Sequence, residues 1–376
     1  MRIGIVCYPT FGGSGILATE LGIGLAKLGH DIHFITYKRP ARLTAFQENV
    51  YFHEVNSMDY PLFEYPPYET SLASKMVDVV RYEKLDILHV HYAIPHAAVA
   101  YMAKQILAGK GIDIPIITTL HGTDITLVGQ DASFYPVVEF SINQSDGVTA
   151  VSNHLADETM EKFDINKEIK VIYNFIDFER FKKTDKNHFK KAIAPNNEKI
   201  IVHTSNFRKV KRVDDVIKTF AKINKKVSSK LLLIGDGPER RHLEELCREL
   251  GLCDEIRFLG KQDAIEEILA VADLFIIPSE NESFGLAALE AMACEVPVIS
   301  TNIGGLPEVN IQGETGYLCK LGDVDDMAAK AISILEDEIV HERFKKAAFK
   351  QAQNFDIKKV ITIYEDYYQS FLKVEA

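Results

Sequence analysis

The stretch from Asp273 to Glu295, DLFIIPSENESFGLAALEAMACE, restricts the fold more than any other part of the chain. Asp273-Leu274-Phe275-Ile276-Ile277-Pro278 is an apolar run closed by a proline, which predicts a buried strand of a parallel sheet. Polar residues 279–283 follow, then an Ala- and Leu-rich helix from about Phe284 to Cys294, and residues 296–301 return as another strand. Such a β–loop–α–β unit sets its loop at the carboxyl end of a strand, where open α/β sheets bind ligands. The amides of Phe284, Gly285 and Leu286 would open the helix and favour an anion there. Glu290 is the odd residue, a carboxylate inside Leu286-Ala287-Ala288-Leu289-Glu290-Ala291-Met292-Ala293. Among small apolar neighbours it costs several kcal/mol unless something pairs with it, and ligand hydroxyls would serve. A solvent-facing Glu290, or one held by a structural arginine, is the alternative reading.

A chain of 376 residues exceeds one ordinary core and predicts two domains of roughly 170–190 residues each. Apolar residues make up 47% and charged residues 26%, the balance of a soluble globular protein. A net charge of −11 without a basic block argues against nucleic acid as a partner. Residues 1–6 run straight into a strand, and no apolar run is long enough to span a membrane. Neither a signal peptide nor stable membrane association is expected, and the cytoplasm is the expected location. The five cysteines are odd in number and lack a CxxC, which suits buried thiols in a reducing compartment rather than a zinc site or disulfides.

In the N-terminal half, residues 2–7 read as a strand, followed by a loop through Gly12, Gly13, Ser14 and Gly15 and a helix over about 16–28. The opening lacks G-x-G-x-x-G and the acid at the end of the second strand (residues 32–36), which discounts a dinucleotide oxidoreductase. Gly13 and Gly15 would instead let the loop approach a phosphate or sugar closely, with a purely structural turn as the alternative. Further strands are expected at 50–55, 87–90, 114–120 and 147–151, with helices at about 71–83, 96–108 and 135–143. Polar clusters close three of these strands: His89-Val90-His91-Tyr92, Thr118-Thr119-Leu120-His121-Gly122-Thr123-Asp124 and Val151-Ser152-Asn153. His89 and His91 are read as alternating toward opposite faces, and so as no metal pair by themselves. The Pro- and Tyr-rich segment 60–68 is expected to be an ordered surface loop or flap.

The C-terminal half begins after a charged linker, 182–198, with a strand at Lys199–Thr204. Ser205-Asn206-Phe207-Arg208-Lys209-Val210-Lys211-Arg212 then places four cations in five positions, for which a diphosphate is a fitting counter-charge. Residues 231–238 give a buried strand and a tight turn containing Gly235, and 256–261 another strand ending at Lys261. Asp323-Val324-Asp325 has the letters of a metal-binding D-x-D, but it precedes a helix, whose N-terminus attracts acids without any metal.

Glu282 and Glu290 stand seven residues apart around a Phe-Gly, between a strand and a helix. This arrangement resembles the E-x7-E signature of the retaining GT-B glycosyltransferases of family 4, relatives of sucrose synthase and the mannosyltransferases. Residues 170–177 resemble that family's V-x-N-G-V-D crossover, with Phe175 in place of its glycine. The resemblance covers the chain from Gly12 onward. It implies two Rossmann-like α/β domains facing a central cleft. Residues 1–175 would bind the acceptor, joined by a last helix at about 357–376 that crosses back onto them, and 176–356 would bind the nucleotide sugar. It also implies that Glu282 reaches the donor sugar, that Glu290 holds the ribose hydroxyls, and that His121 lies beside the sugar. Gly235 belongs to the family's G-x-G-P turn, and Lys261 to the strand end that meets the nucleobase. Aligning Lys211 on the lysine of G-R-x4-K sets Asn206 where the arginine should be, which leaves Arg208 or Arg212 to take over that contact.

Four segments, 7–15, 91–96, 120–124 and 205–213, together resemble the branch of the family that serves bacillithiol biosynthesis. The implied reaction moves GlcNAc from UDP-GlcNAc to the hydroxyl of L-malate with retention, without a metal or other cofactor, the donor phosphate taking the acceptor proton. Lys211, Arg208 and the helix amides after Ser283 would stabilise departing UDP. Ser14, Arg42, Tyr92 and Thr119 are the candidates for the malate carboxylates. Transfer to a membrane lipid or another sugar, a non-catalytic nucleotide-sugar sensor and an epimerase remain as alternatives. The first 175 residues hold 13 Lys and Arg against 20 Asp and Glu, which favours a soluble acceptor over an anionic lipid. Self-association into a homo-oligomer is left open.

Overall fold

The structure is a computed structural model that describes residues 1–10, 12–43, 46–57, 64–184 and 187–372. Residues 60–63 of the expected flap at 60–68 therefore lie outside the described residues. The chain divides into two units, Met1–Asn174 with Ile357–Ala376, and Phe175–Asp356.

Unit 1 is built on a seven-stranded parallel sheet in the order β3-β2-β1-β4-β5-β6-β7. Its strands are β1 (Arg2–Val6), β2 (Asp31–Thr36), β3 (Val50–Glu54), β4 (Ile87–His91), β5 (Ile116–Leu120), β6 (Gly147–Ala150) and β7 (Ile169–Val171). β4 and β5 are buried along their whole length, including their polar members His89, His91, Thr118 and Thr119. The order reverses between β1 and β4, so the loops after these strands part there and leave a crevice. β5 starts at Ile116 rather than 114, because Pro115 has no N–H to give to the ladder.

The last helix, Ile357–Gln369, belongs to unit 1 and buries Val360, Ile361, Tyr364 and Tyr368. Its Ile361 fills the space beside Gly24 of the Gly13–Lys27 helix, where a Cβ would come within 2.2 Å of Ile361 Cδ1. Glu365 adds a bond to His30 Nε2 at 2.8 Å. Tyr368 Oη lies 2.7 Å from His89 Nδ1, so this helix is tied to β4 through a buried polar contact as well as by packing.

Unit 2 carries a six-stranded parallel sheet in the order β10-β9-β8-β11-β12-β13. These strands are β8 (Lys199–Thr204), β9 (Ser229–Ile234), β10 (Ile256–Gly260), β11 (Leu274–Ile277), β12 (Val298–Thr301) and β13 (Gly316–Cys319). Here the order reverses between β8 and β11. One face is covered by the Val213–Asn224 and Val324–Leu335 helices, whose Val216, Phe220, Met327 and Ile334 share a core with Leu231, Leu233 and Ile276. The stretch expected as a charged linker contains a short helix, Asn187–Ile193. Lys190 of that helix pairs with Asp273 at 3.1 Å, and a tertiary partner of this kind is not visible in local composition. All five cysteines are free, with Cys253 exposed and the others buried.

Candidate functional site

In unit 2 the candidate donor residues sit where β8, β9, β11 and β12 end. At the exit of β8, buried His203 has Nδ1 2.8 Å from the Ile276 carbonyl and Nε2 2.8 Å from Ser205 Oγ. A carbonyl only accepts, so Nδ1 carries the proton and the Ser205 hydroxyl donates to Nε2. Burial pushes this imidazole down to about 4, leaving it a neutral peg for the start of the loop. Phe207 is fully buried while Asn206 and Arg208 on either side are exposed. A phenylalanine buried in this way stabilises by about 1.5–3 kcal/mol, enough to pin the loop and keep its polar neighbours at the surface.

Lys209–Lys211 forms one 3-10 turn. Arg212 follows at φ 48° and points its Nε to Asp215 Oδ2 at 2.6 Å. Among the described residues no ion pair engages Arg208, so of the two arginines it has the uncommitted charge. The turn after β9 presses on this loop, for a Cβ at Gly235 would fall 1.8 Å from the Ser205 carbonyl oxygen. Gly235 N donates to the Gly260 carbonyl at 2.8 Å, linking the ends of β9 and β10, and exposed Lys261 comes next.

The loop after β11 is held from both sides. The Thr301 hydroxyl donates to the Ser279 carbonyl at 2.7 Å, and Glu280 N donates to the Val210 carbonyl at 2.8 Å. Glu282 is thereby set against the cation loop, with Oε1 2.6 Å from Lys211 Nζ. Gly305 N donates to the Glu282 carbonyl at 2.9 Å. A Cβ at Gly304, whose φ is 63°, would sit 1.9 Å from that same oxygen, so only glycine fits this turn.

The helix that follows spans Leu286–Ala293 and not 284–294, because Gly285 at φ 100° lies outside helical geometry. Gly285 is the N-cap and makes no side-chain cap bond, so an anion is the natural complement of the helix start. Phe284 anchors the turn by burying its ring edge-on against Phe355 at 5.5 Å. Glu290, in the second turn, is only 9% exposed.

In unit 1 polar groups gather where β1, β4 and β5 end. Gly13 is the first residue of its helix, and the next turn comes so close that a Cβ at Gly15 would lie 2.4 Å from the Tyr8 carbonyl oxygen. Ser14 Oγ is thus brought within 2.7 Å of Tyr92 Oη. The Tyr92 ring packs 5.0 Å from that of His121, and burial raises its hydroxyl to about 12, so it stays a neutral hydrogen-bonding group. His121 Nε2 bonds His91 Nδ1 at 2.8 Å. Burial pushes His121 down to about 3 and His91 well below the usual range, so both rings are neutral at pH 7. Asp124 fixes the loop that carries His121: its Oδ1 accepts Gly122 N at 3.0 Å and its Oδ2 accepts Ala93 N at 2.9 Å.

Ser14, Tyr92 and His121 therefore form one group in unit 1, and Lys211, Glu282 and the Gly285 turn form another in unit 2. Thr119 does not join the first group. Its hydroxyl is buried and spent on His89 Nε2 and Thr149 Oγ1, each at 2.7 Å. Arg42 pairs with Glu20 of the first helix, and among the described contacts none joins it to Ser14 or Tyr92. The opposite-face reading of His89 and His91 is corrected, since their rings lie 4.4 Å apart. Residues two apart along a strand share a face, and it is Val90 that points the other way. Asp323 caps the Val324–Leu335 helix by accepting Asp326 N at 3.0 Å, and Asp325 pairs with Lys222 at 2.7 Å.

Sequence reasoning missed His91, Asp124 and His203 as positioning groups. Only Asp124 carried a local signal, a carboxylate close enough behind His121 to collect the loop's own amides.

Two parallel α/β sheets, with a cation loop set against a glutamate and an uncapped helix start in one of them, define a nucleotide-sugar glycosyltransferase. Residues 11–180 match the family described as "Glycosyltransferase Family 4" and residues 184–351 that described as "Glycosyl transferases group 1". The chain belongs to this glycosyltransferase family. It is 51% identical over 378 residues to the N-acetyl-alpha-D-glucosaminyl L-malate synthase of Bacillus anthracis, covering 99% of this chain and 98% of that protein. Among solved structures it resembles sucrose-phosphate synthase from Thermosynechococcus elongatus, with a TM-score of 0.82 and 20% identity over 98% of both chains. It also resembles Anabaena Alr3699/HepE in complex with UDP-glucose, with a TM-score of 0.83 and 21% identity over 99% of this chain and 100% of that one. Both place the chain in the GT-B fold.

Proposed function

We propose that this protein transfers GlcNAc from UDP-GlcNAc to the hydroxyl of L-malate with retention, the first step of bacillithiol biosynthesis. The observation that carries this is the 51% identity, over 99% of the chain, to a protein that makes N-acetyl-α-D-glucosaminyl L-malate. In this reading the bond between the anomeric carbon and the UDP oxygen breaks, and the malate oxygen bonds to that carbon on the same face.

Lys211, Arg208 and the amides at Gly285 and Leu286 take up the negative charge that grows on UDP. Glu290 holds the ribose hydroxyls, Glu282 orients the hydroxyls of GlcNAc, and the ends of β9 and β10 at Gly235 and Lys261 lie by the nucleotide. His121 supports the sugar, and the Ser14–Tyr92 pair offers hydroxyl donors to a malate carboxylate. Burial holds His121 down to about 3, which suits a neutral support for the sugar rather than a base. As the family resemblance implies, the malate proton goes to the departing phosphate oxygen. The cations of the 208–211 loop supply the charge that a metal supplies in other transferases, and no metal enters the reaction. Both substrates are small and water-soluble, so this reading includes a cytoplasmic location.

The test is UDP release from UDP-GlcNAc with and without L-malate, in EDTA, on the wild type and on Glu290→Gln. Malate-dependent release that survives EDTA and falls in the variant is the expected result. If malate adds nothing, the acceptor assignment is wrong. If EDTA abolishes release, metal independence is.

A further inference from the structure

We propose that unit 1 carries a binding site for a zinc-like divalent cation, formed by His33 on β2, His53 on β3 and Glu83 at the end of the Tyr68–Glu83 helix. His33 Nδ1 and His53 Nε2 are 2.9 Å apart, and one ligand atom from each of the three residues lies within 4.8 Å of the other two. The juxtaposition follows from register. β2 and β3 run parallel with His33 opposite Tyr51 and Ile35 opposite His53, so the two histidines lie diagonally on one face of the sheet.

The donor set suits the ion. Two imidazole nitrogens and one carboxylate oxygen are the three-ligand set of zinc sites that keep a fourth position open. Around a tetrahedral ion with bonds of about 2.0–2.1 Å, ligand atoms stand roughly 3.3 Å apart. That spacing falls between the His–His separation and the 4.8 Å limit of the trio. Entry of the ion thus asks the rings to part slightly and the Glu83 carboxylate to swing in. His33 is buried and stacked on Tyr51 at 4.7 Å, which fixes one ligand, while half-buried His53 and exposed Glu83 open the site to solvent.

Protonation does not stand in the way. The bond between the two rings uses one N–H, and moving that proton to the far nitrogen of the same ring frees both lone pairs without losing a proton. Burial, with the neighbouring His53, holds His33 down to about 4, and burial also lowers His53, so both are neutral at pH 7. The charged groups that face the pair are Glu83 and Asp31, which favour a cation, and Arg2 and Lys75, which oppose it. Glu83 is moreover the last residue of its helix, where the carbonyl ends already make the surroundings negative. A bound cation relieves that crowding of negative charge and ties edge strand β3 and its neighbour β2 to the helix.

The experiment is Zn2+ titration of the untagged, EDTA-stripped full chain by calorimetry at pH 7.5, with Co2+ absorption as a second readout. The wild type is expected to bind one Zn2+ per chain and to melt at a higher temperature with it. His53→Gln and Glu83→Gln should each weaken binding by more than about tenfold, since even outer-shell changes at metal sites reach that size. Either variant suffices, provided its circular dichroism matches the wild type, and buried His33 is left untouched so that folding is kept. No saturable binding, or binding unchanged in both variants, overturns the proposal. The transfer assay is run in EDTA, so the two readings fail separately.

Discussion

Lys211 Nζ lies 2.6 Å from Glu282 Oε1, and the two side chains are only 20% and 18% exposed. The pair joins the end of β8 to the end of β11, seventy-one residues apart in the chain. Each group neutralises the other. In the proposed reaction a nucleotide diphosphate would draw Lys211 away and release Glu282 to accept sugar hydroxyls.

Lys211→Ala is accordingly expected to lower kcat/KM by about 10²–10³-fold, the usual loss when one stabiliser of transition-state charge is removed. Its melting temperature should change little, since a partly solvated ion pair contributes roughly 1 kcal/mol or less. Steady-state kinetics beside a thermal melt separates the two, and an unchanged kcat/KM would remove Lys211 from the donor site.

Gly304→Ala acts on Glu282 without touching any charge. The added methyl meets the Glu282 carbonyl oxygen, and the positive φ adds backbone strain of about 1–2 kcal/mol. UDP-GlcNAc affinity is expected to drop at least about tenfold, or 1.4 kcal/mol, while the far-UV circular dichroism stays as in the wild type. Wild-type affinity in a calorimetric titration would contradict the idea that this turn positions Glu282.

Acid should destabilise the protein before it titrates the carboxylates. His89 and His121 are pushed down to about 3 and His96 to about 4, all chiefly by burial. Below an unfolded value of about 6.5, the unfolded chain binds protons that these folded rings refuse. The stabilisation they give is complete above that pH and is lost as pH falls toward the folded values. At pH 5.5 each ring costs about 1.4 kcal/mol, so the three together remove roughly 4 kcal/mol from a typical 5–15 kcal/mol. Urea midpoints at pH 7.5 and 5.5 measure this, and equal midpoints would refute it. In the same range kcat/KM should show no break from His121.

Tyr368→Phe removes the hydroxyl 2.7 Å from His89 Nδ1 and leaves that nitrogen buried without a partner. The expected loss is about 1–3 kcal/mol, the cost of an orphaned buried polar group. Hydrogen exchange should quicken over the Ile357–Gln369 helix, while UDP affinity, which the proposed function assigns to unit 2, should not move. Exchange identical to the wild type would show that packing alone docks this helix.

Much of the architecture was legible in the residues. The apolar run at 274–277, the Phe-Gly turn and the helix bearing Glu290 were readable because strand burial, glycine conformation and helix propensity act over a few neighbours. The four cations of 208–212 were readable as charge crowded on one short loop that demands a counter-charge, which Asp215 meets for Arg212. Where a glycine overrides helix propensity, as at Gly285, the boundary moved by two residues and the element stayed.

The pairings did not come from such local rules. Thr119 had the makings of a ligand-binding hydroxyl until β4, β6 and the last helix closed around it and used both its donor and its acceptors. Arg42 met Glu20, and Arg212 met Asp215 while Arg208 remained exposed. His33, His53 and Glu83 carry no common motif, and they meet only because β3 lies on the sheet edge beside β2 with one particular register. Side-chain propensities are properties of short segments. Which polar groups share a hydrogen bond is set by sheet order and register, which the whole chain determines at once by burying its apolar faces.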